Sequence, residues 1–524
     1  MRTIATVDLK PRLTAGPEIA FLDVREAGQY GEGHPFFAVN VSYSRLELEV
    51  RGLVPRLATP VVLLDDGEGV AAMAARRLAA LGYGDVAILD GGAPGWAKAG
   101  CTLFKGVNLP SKAFGEIVEH VQHTPSLSAV ELRDKVARAE KLIILDGRSP
   151  AEYRRMTIPG ARSCPNAELA HRLPALVADD TTTIVVNCAG RTRSIIGAQS
   201  LRNAGVKNPV IALRNGTQGW MLADMTLERG TPAQDLPELD AAGLARSRNR
   251  AHELIVHHGL AVIDRAELTR WQLDGSRTTY LLDVRSEAEF ARGHLPTARH
   301  APGGQLVQAT DQWVGTRGAR LVLCDDTGLR AATTAIWLRG MGHDASLLAV
   351  DASEAADTTT AALDAATGVR PLRRVDTKDL TGLTNGGAVL LDLNSSMTYR
   401  KDHIEGARWA IRPRLGQLDL PSRSGIVLVS AESGTARLAA LDLAEAGHEV
   451  MGWLGGGPRE WTAAGLPVAA SPTVPVDADC IDYLFFVHDR HDGNLDAARG
   501  YLAWETGLMA QMDAQETGAL RPLV

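Results

Sequence analysis

Cys188 is the residue of this 524-residue chain best placed to do chemistry. It follows a short apolar run, Ile184-Val185-Val186, and precedes Ala189, Gly190, Arg191, Thr192 and Arg193. From Ser194 to Leu201 the spacing is helical, ending near Gly205. A cysteine thus stands where a buried strand gives way to a tight loop that opens a helix. In open α/β sheets, ligands bind at this carboxyl edge. Loop N–H groups turned inward make an anion nest, and the helix start adds partial positive charge. Arg191 and Arg193 add full charges, and all of these favour thiolate over thiol. A cysteine chosen at random is more often a small, inert core residue. The basic, glycine-containing loop is what separates Cys188 from that reading.

The elements needed to position such a loop recur four times. A buried strand ending in Asp, then a polar turn and a helix start, reads FLDVREAGQY (21–30), ILDGRSPAEY (144–153), LLDVRSEAEF (281–290) and LLDLNSSMTY (390–399). A second signal follows each: Gly33-His34-Pro35, Ile158-Pro159-Gly160, His294-Leu295-Pro296 and His403-Ile404-Glu405-Gly406. Another apolar strand and an Ala-rich helix come next, the helix stopping at Gly82, Gly205, Gly342 or Gly447. A Gly-to-Trp turn closes three copies at Trp96, Trp220 and Trp461; the third copy has Val350-Asp351-Ala352-Ser353 instead. A period of roughly 105–140 residues means whole domains in tandem, not a solenoid. Strands alternating with helices predict parallel α/β sheets.

Counting back from the helix-end glycines puts Asp65, Asp325 and Ser430 at the position of Cys188. Cys324 then falls one residue early, at the end of its strand, where a side chain sees the opposite face. Its acidic neighbours Asp325 and Asp326 also disfavour a thiolate. Ser430 has no evident histidine base to activate it.

The loop Cys188–Ser194 resembles the active-site loop of the rhodanese family of sulfurtransferases. The Asp146-Gly147-Arg148 and Glu152-Tyr153 pair, Ile158-Pro159-Gly160-Ala161, and the turn from Asn215 to Trp220 resemble its other markers, in order. The resemblance implies four rhodanese-like domains, each a small open parallel sheet with helices on both faces. It also implies sulfur transfer from thiosulfate or a similar donor through a Cys188 persulfide, with a thiol or cyanide as acceptor. Ala189 to Arg193 are then expected to hold the donor and the persulfide. Arg148 is placed with them, although the same arginine equally suits bracing the fold. Asp146, which has an equivalent in every copy, is read as structural, and Cys164 as a packed thiol. Phosphatases share this fold but need an arginine six residues after the cysteine. Ser194 holds that place and Arg193 falls one short, so phosphate is poorly served. With three of four copies lacking the cysteine, a binding or sulfur-relay scaffold is the alternative.

The expected domains are 1–105, 120–230, 258–352 and 372–470, the second carrying the chemistry. The joints at 106–111, 230–239 and 352–369 are polar or rich in Pro, Thr and Ala. Residues 476–524 form an appendage. Tyr483 to Val487 is read as a strand, and the stretch from Asn494 to about Glu516 as a helix that docks through Leu495, Ala498, Tyr501, Leu502 and Trp504. A net charge of −7 speaks against a general nucleic-acid binder. The N-terminus lacks the apolar core of a signal peptide, and no run is long enough to span a bilayer. Five scattered cysteines without metal-ligand spacing suggest reduced thiols in the cytoplasm. No cofactor or metal, no membrane and no nucleic-acid partner is expected. The partners expected are a small sulfur donor, its acceptor and, in addition, a protein acceptor.

Overall fold

The computed structural model describes residues 2–349, 371–421, 425–491 and 493–523. The closing turn expected at 350–353 and the joint at 352–369 lie outside the described residues. The chain divides into two compact units. One holds the first and fourth repeats, with the tail up to Phe485. The other holds the second and third repeats, with Asp8–Ala20 and the tail from Phe486.

In the second unit, the sheet that carries Cys188 has strands β1 (Ser126–Leu127), β2 (Leu142–Asp146), β3 (Arg162–Ser163), β4 (Thr183–Asn187) and β5 (Val210–Leu213). Their order is β1-β5-β4-β2-β3, and every pairing is parallel. The helices that matter to the site are α1 (Leu109–Gln122), α2 (Pro150–Arg155), α3 (Asn166–Leu176), α4 (Thr192–Asn203), α5 (Gly216–Leu222) and α6 (Leu495–Gly507). Ile184, Val185 and Val186 are fully buried, because helices cover both faces of a parallel sheet. Each such side chain contributes about 1.5–3 kcal/mol on burial. Val185 packs with Ile144, Leu213 and Trp220 on one face. Helix α2 starts sharply, with Pro150 in its first turn and a Ser149/Glu152 capping box.

The same strand order recurs in the third repeat (Val262–Ile263, Thr279–Asp283, Arg299–His300, Arg320–Cys324, Asp344–Leu348) and in the first. The fourth repeat keeps four parallel strands, and its fifth is reduced to a bridge between Arg374 and Trp453. A two-stranded antiparallel pair, His403–Ile404 with Val468–Ala469, is added there.

Three local expectations are corrected. The supposed joint at 106–111 runs into helix α1, whose Leu109 and Pro110 occupy the first turn. Tyr483 to Val487 is no strand; Phe485–His488 is a helical turn. Nor is the tail helix continuous to Glu516: α6 ends at Gly507, and Met509–Gln511 and Ala514–Gly518 follow as short separate turns. The Asp513/Glu516 capping box starts the last of these anew.

Candidate active site

Backbone pairing fixes which residue of each copy stands where Cys188 does. Just after each Asp-ending strand, one N–H bonds the last carbonyl of the neighbouring strand. The bonds are Val24 to Leu64 (3.0 Å), Gly147 to Asn187 (2.9 Å), Val284 to Cys324 (3.1 Å) and Leu393 to Val429 (2.8 Å). Cys324 is therefore the counterpart of Asn187. Asp65, Asp325 and Ser430 are the counterparts of Cys188.

Cys188 itself is buried, 2% exposed, at the mouth of β4. Its carbonyl accepts from Thr217 N at 2.8 Å, and the Ala189 carbonyl from Gln218 N at 3.1 Å, so α5 holds the loop from below. This close approach requires Gly216: its φ is +51°, and a Cβ there would sit 2.1 Å from the Cys188 oxygen. The first copy repeats the arrangement, with Gly92 against the Asp65 carbonyl.

What fills the loop differs between copies. Asp65 folds its carboxylate back onto the N–H groups of Gly67, Gly69 and Ala71, at 2.9, 3.1 and 3.0 Å. Asp325 does likewise with Gly328 and Arg330, at 2.6 and 3.0 Å. Both loops are anion nests occupied by their own aspartate. The positions corresponding to Gly67, Gly69 and Ala71 are Gly190, Thr192 and Ser194. Among the described residues no side-chain acceptor takes their N–H groups, and Cys188 carries no carboxylate to do so.

The arginines are placed differently from expectation. Arg191 forks onto Glu116 of α1, at 2.7 and 2.8 Å, and also reaches Glu119. Arg193 forks onto Glu152, at 2.6 and 2.8 Å. Burial opposes the charge on Glu152, but Arg193 and Arg148 outweigh it and hold the carboxyl well below the usual range. The loop therefore has acids around it, and its arginine charges are matched. Burial opposes the charge on Arg193, and Glu152 outweighs it and holds the guanidinium charged. Arg148 lies within the framework. It is 2% exposed and spends its donors on Asp146 (2.9 and 2.7 Å) and on the Met156 carbonyl (2.6 Å). Asp146 is the hub expected of it, accepting also from Thr157 and Asn187, both at 3.1 Å.

The sequence reading missed Glu505, on α6. It is fully buried, and its Oε1 accepts from Thr192 Oγ1 at 2.8 Å and Lys112 Nζ at 3.0 Å. Its Oε2 lies beside the Cys188 loop, 2.9 Å from where a Cβ on Gly190 would be. Burial opposes its charge, but Lys112 and Thr192 hold the carboxyl below its ordinary value. The signal was present: Ala498, Tyr501, Leu502 and Glu505 fall on one helical face, so an acid sits in an apolar stripe. Lys112, Glu116 and Glu119 were hidden because the expected joint at 106–111 covered the start of α1 and the expected domain began only at 120.

Two of the other cysteines are held as thiols by burial. Cys324 is fully buried with its Sγ 3.6 Å from the Leu282 carbonyl; burial, then Asp283 and Asp325, push its thiol well up. Burial raises the Cys164 thiol too. His171, Glu289 and Asp326 bring ligand atoms within 4.8 Å of one another. Guanidinium groups take the oxygens a cation would need: Arg330 reaches Glu289 at 2.7 Å and Asp326, and Arg172 reaches Glu289 at 2.6 Å.

The rhodanese-like domain family matches residues 6–99, 128–223 and 264–353, more than half of the chain. The chain belongs to the rhodanese-like family. A crystal structure titled thiosulfate sulfurtransferase from Pseudomonas aeruginosa is 41% identical, with a TM-score of 0.91 over 100% of both chains. A thiosulfate sulfurtransferase of Pseudomonas aeruginosa is 29% identical over 164 residues, 28% of this chain and 59% of that protein. One from Azotobacter vinelandii is 30% identical over 169 residues, 29% of this chain and 61% of that protein. The chain thus spans about six tenths of the length of these two curated relatives. Its kinship is with thiosulfate sulfurtransferase-like rhodanese enzymes. Among the described residues no helix is long and apolar enough to cross a membrane.

Proposed function

We propose that the second repeat, 120–230 with helix α1 counted in, is a sulfurtransferase acting through Cys188. The other three repeats, 1–105, 258–352 and 372–470, lack the nucleophile. The observation that carries this reading is the contrast in the nests. Where Asp65 and Asp325 neutralise their own loops, the Cys188 loop keeps its N–H groups for an external anion. The Cys188 thiolate attacks the outer sulfur of thiosulfate. A new S–S bond forms, the old one breaks, and its electron pair leaves with sulfite. The persulfide's terminal charge then rests on the N–H groups of Gly190, Thr192 and Ser194, as an oxyanion does in acyl transfer. An acceptor thiolate or cyanide takes that sulfur and returns the electron pair to Cys188, a two-step covalent exchange. Ala189 through Arg193 form the donor site mainly by backbone, with Arg193 as the nearby charge.

The donor, the acceptor and any protein partner are part of this proposal, and intact-mass measurement after thiosulfate treatment tests it. The expected result is one added sulfur, mapped to the peptide containing Cys188 and removed by cyanide. An unmodified chain that still releases sulfite would overturn the persulfide step. A scaffold role for the first and third repeats is favoured by their filled nests, which keep the fold and give up the chemistry.

A further inference from the structure

The fourth repeat keeps a cavity where the second keeps its cysteine. It has a volume of about 290 Å³, and Ser430, Ala431, Ser395, Trp409, Glu26 and Asp482 are among its walls. That is space for on the order of ten waters, at about 30 Å³ each. The Ser430 hydroxyl is turned onto its own loop, donating to the Glu432 carbonyl at 2.9 Å and accepting from Glu432 N at 3.2 Å. The chamber therefore lacks a nucleophile.

Its charges are unbalanced. Arg412 borders it but directs its guanidinium to Glu47 (2.6 and 2.8 Å) and Asp442 (2.9 Å). Arg45 is taken by Glu49 and Glu432. Two carboxylates remain. Glu26 is 4% exposed and accepts from Ser44 N at 3.0 Å. Asp482 accepts from Ser396 N at 2.8 Å through Oδ2, while its Oδ1 is buried with no partner. Burial, with a further push from Asp482, raises the Glu26 carboxyl to about 7 against the bonds from Ser44 and the more distant charge of Arg412. A buried acceptor without a donor and two neighbouring acids both call for positive N–H groups.

We propose that this cavity is a second, non-catalytic ligand site, taking a small organic cation with a primary ammonium or guanidinium group that donates to Asp482 and Glu26. The indole of Trp409 gives such a cation an aromatic wall, its Nε1 being used by the Asn394 carbonyl at 3.0 Å. Calorimetry of the full chain with agmatine, against glutarate as the anion of similar length, tests it. Agmatine should bind at millimolar concentration or better and glutarate should not. Asp482→Asn and Glu26→Gln should each weaken agmatine at least tenfold and leave sulfite release from thiosulfate unchanged. Thr435→Trp, which fills the chamber from its partly exposed side and keeps both acids, should abolish binding even if an acid variant folds poorly. No heat with agmatine, binding unaltered by Thr435→Trp, or a preference for glutarate would overturn the proposal.

Discussion

At the scale of single residues, the proposed chemistry rests on one thiol and the backbone around it. Arg193 shares its charge with Glu152 alone among the carboxylates it bonds, whereas Arg191 is divided between two glutamates. Arg193→Gln should therefore slow iodoacetamide alkylation of Cys188 at neutral pH by about fivefold, the effect of ~1 kcal/mol. Arg191→Gln should slow it less. Equal slowing would mean that Arg191 contributes as much as Arg193, and no slowing by either would mean that the backbone N–H groups supply the whole field. Gly216→Ala meets both a left-handed backbone and the Cys188 carbonyl. It should cost about 3 kcal/mol or more and remove sulfur transfer, read by urea unfolding and sulfite release. A fully active, equally stable Gly216→Ala protein would refute the account of the loop's support.

At the scale of elements, α6 and the Asp-ending strands carry the tests. Glu505 and Lys112 form an ion pair whose side chains are 1% and 8% exposed. Glu505→Ala strands the ammonium in the interior, and thermal unfolding should show a loss of about 3–5 kcal/mol. Adding Lys112→Met should recover much of it; a double variant no better than the single would deny that the pair is the cause. In the fourth repeat Asn394 stands where the other copies have arginine, and burial raises the Asp392 carboxyl to about 6 against the bonds it accepts from Asn394. A raised carboxyl holds its proton more tightly folded than unfolded. Its penalty is thus absent below about pH 4, grows as pH rises to about 6, and persists above. Asp392→Asn should therefore match the parent at pH 4 and be more stable above pH 6, by up to ~3 kcal/mol in urea midpoints. A difference independent of pH would contradict this. The repeated strands, the helix-end glycines and the place of Cys188 were legible because each depends on local pattern. The partners of Arg191 and Arg193 were not, because Glu116, Glu119 and Glu152 come from other elements and only packing brings them in. Glu505, more than three hundred positions away, was betrayed only by its place in an apolar stripe.

At the scale of the whole molecule, four copies of one fold have kept one nucleophile. The tail expected as a single appendage is divided in its allegiance. Ile481 accepts from Gly28 and Gln29 N in the first unit, whereas Glu505 and Trp504 belong to the second, Trp504 closing over Gly106. Cys188 and Cys324 both follow an apolar strand and precede a buried helix, yet the strand pairing sets them one position apart. Everything in the account depends on that single-residue distinction, so the most direct test compares sulfite release from thiosulfate by Cys188→Ser and Cys324→Ser side by side. The account predicts no sulfur transfer in Cys188→Ser, whose hydroxyl cannot carry a persulfide. For Cys324→Ser it predicts a rate within about a factor of two of the parent, ~0.4 kcal/mol. Activity surviving in Cys188→Ser, or lost in a folded Cys324→Ser, would place the active site in the wrong repeat.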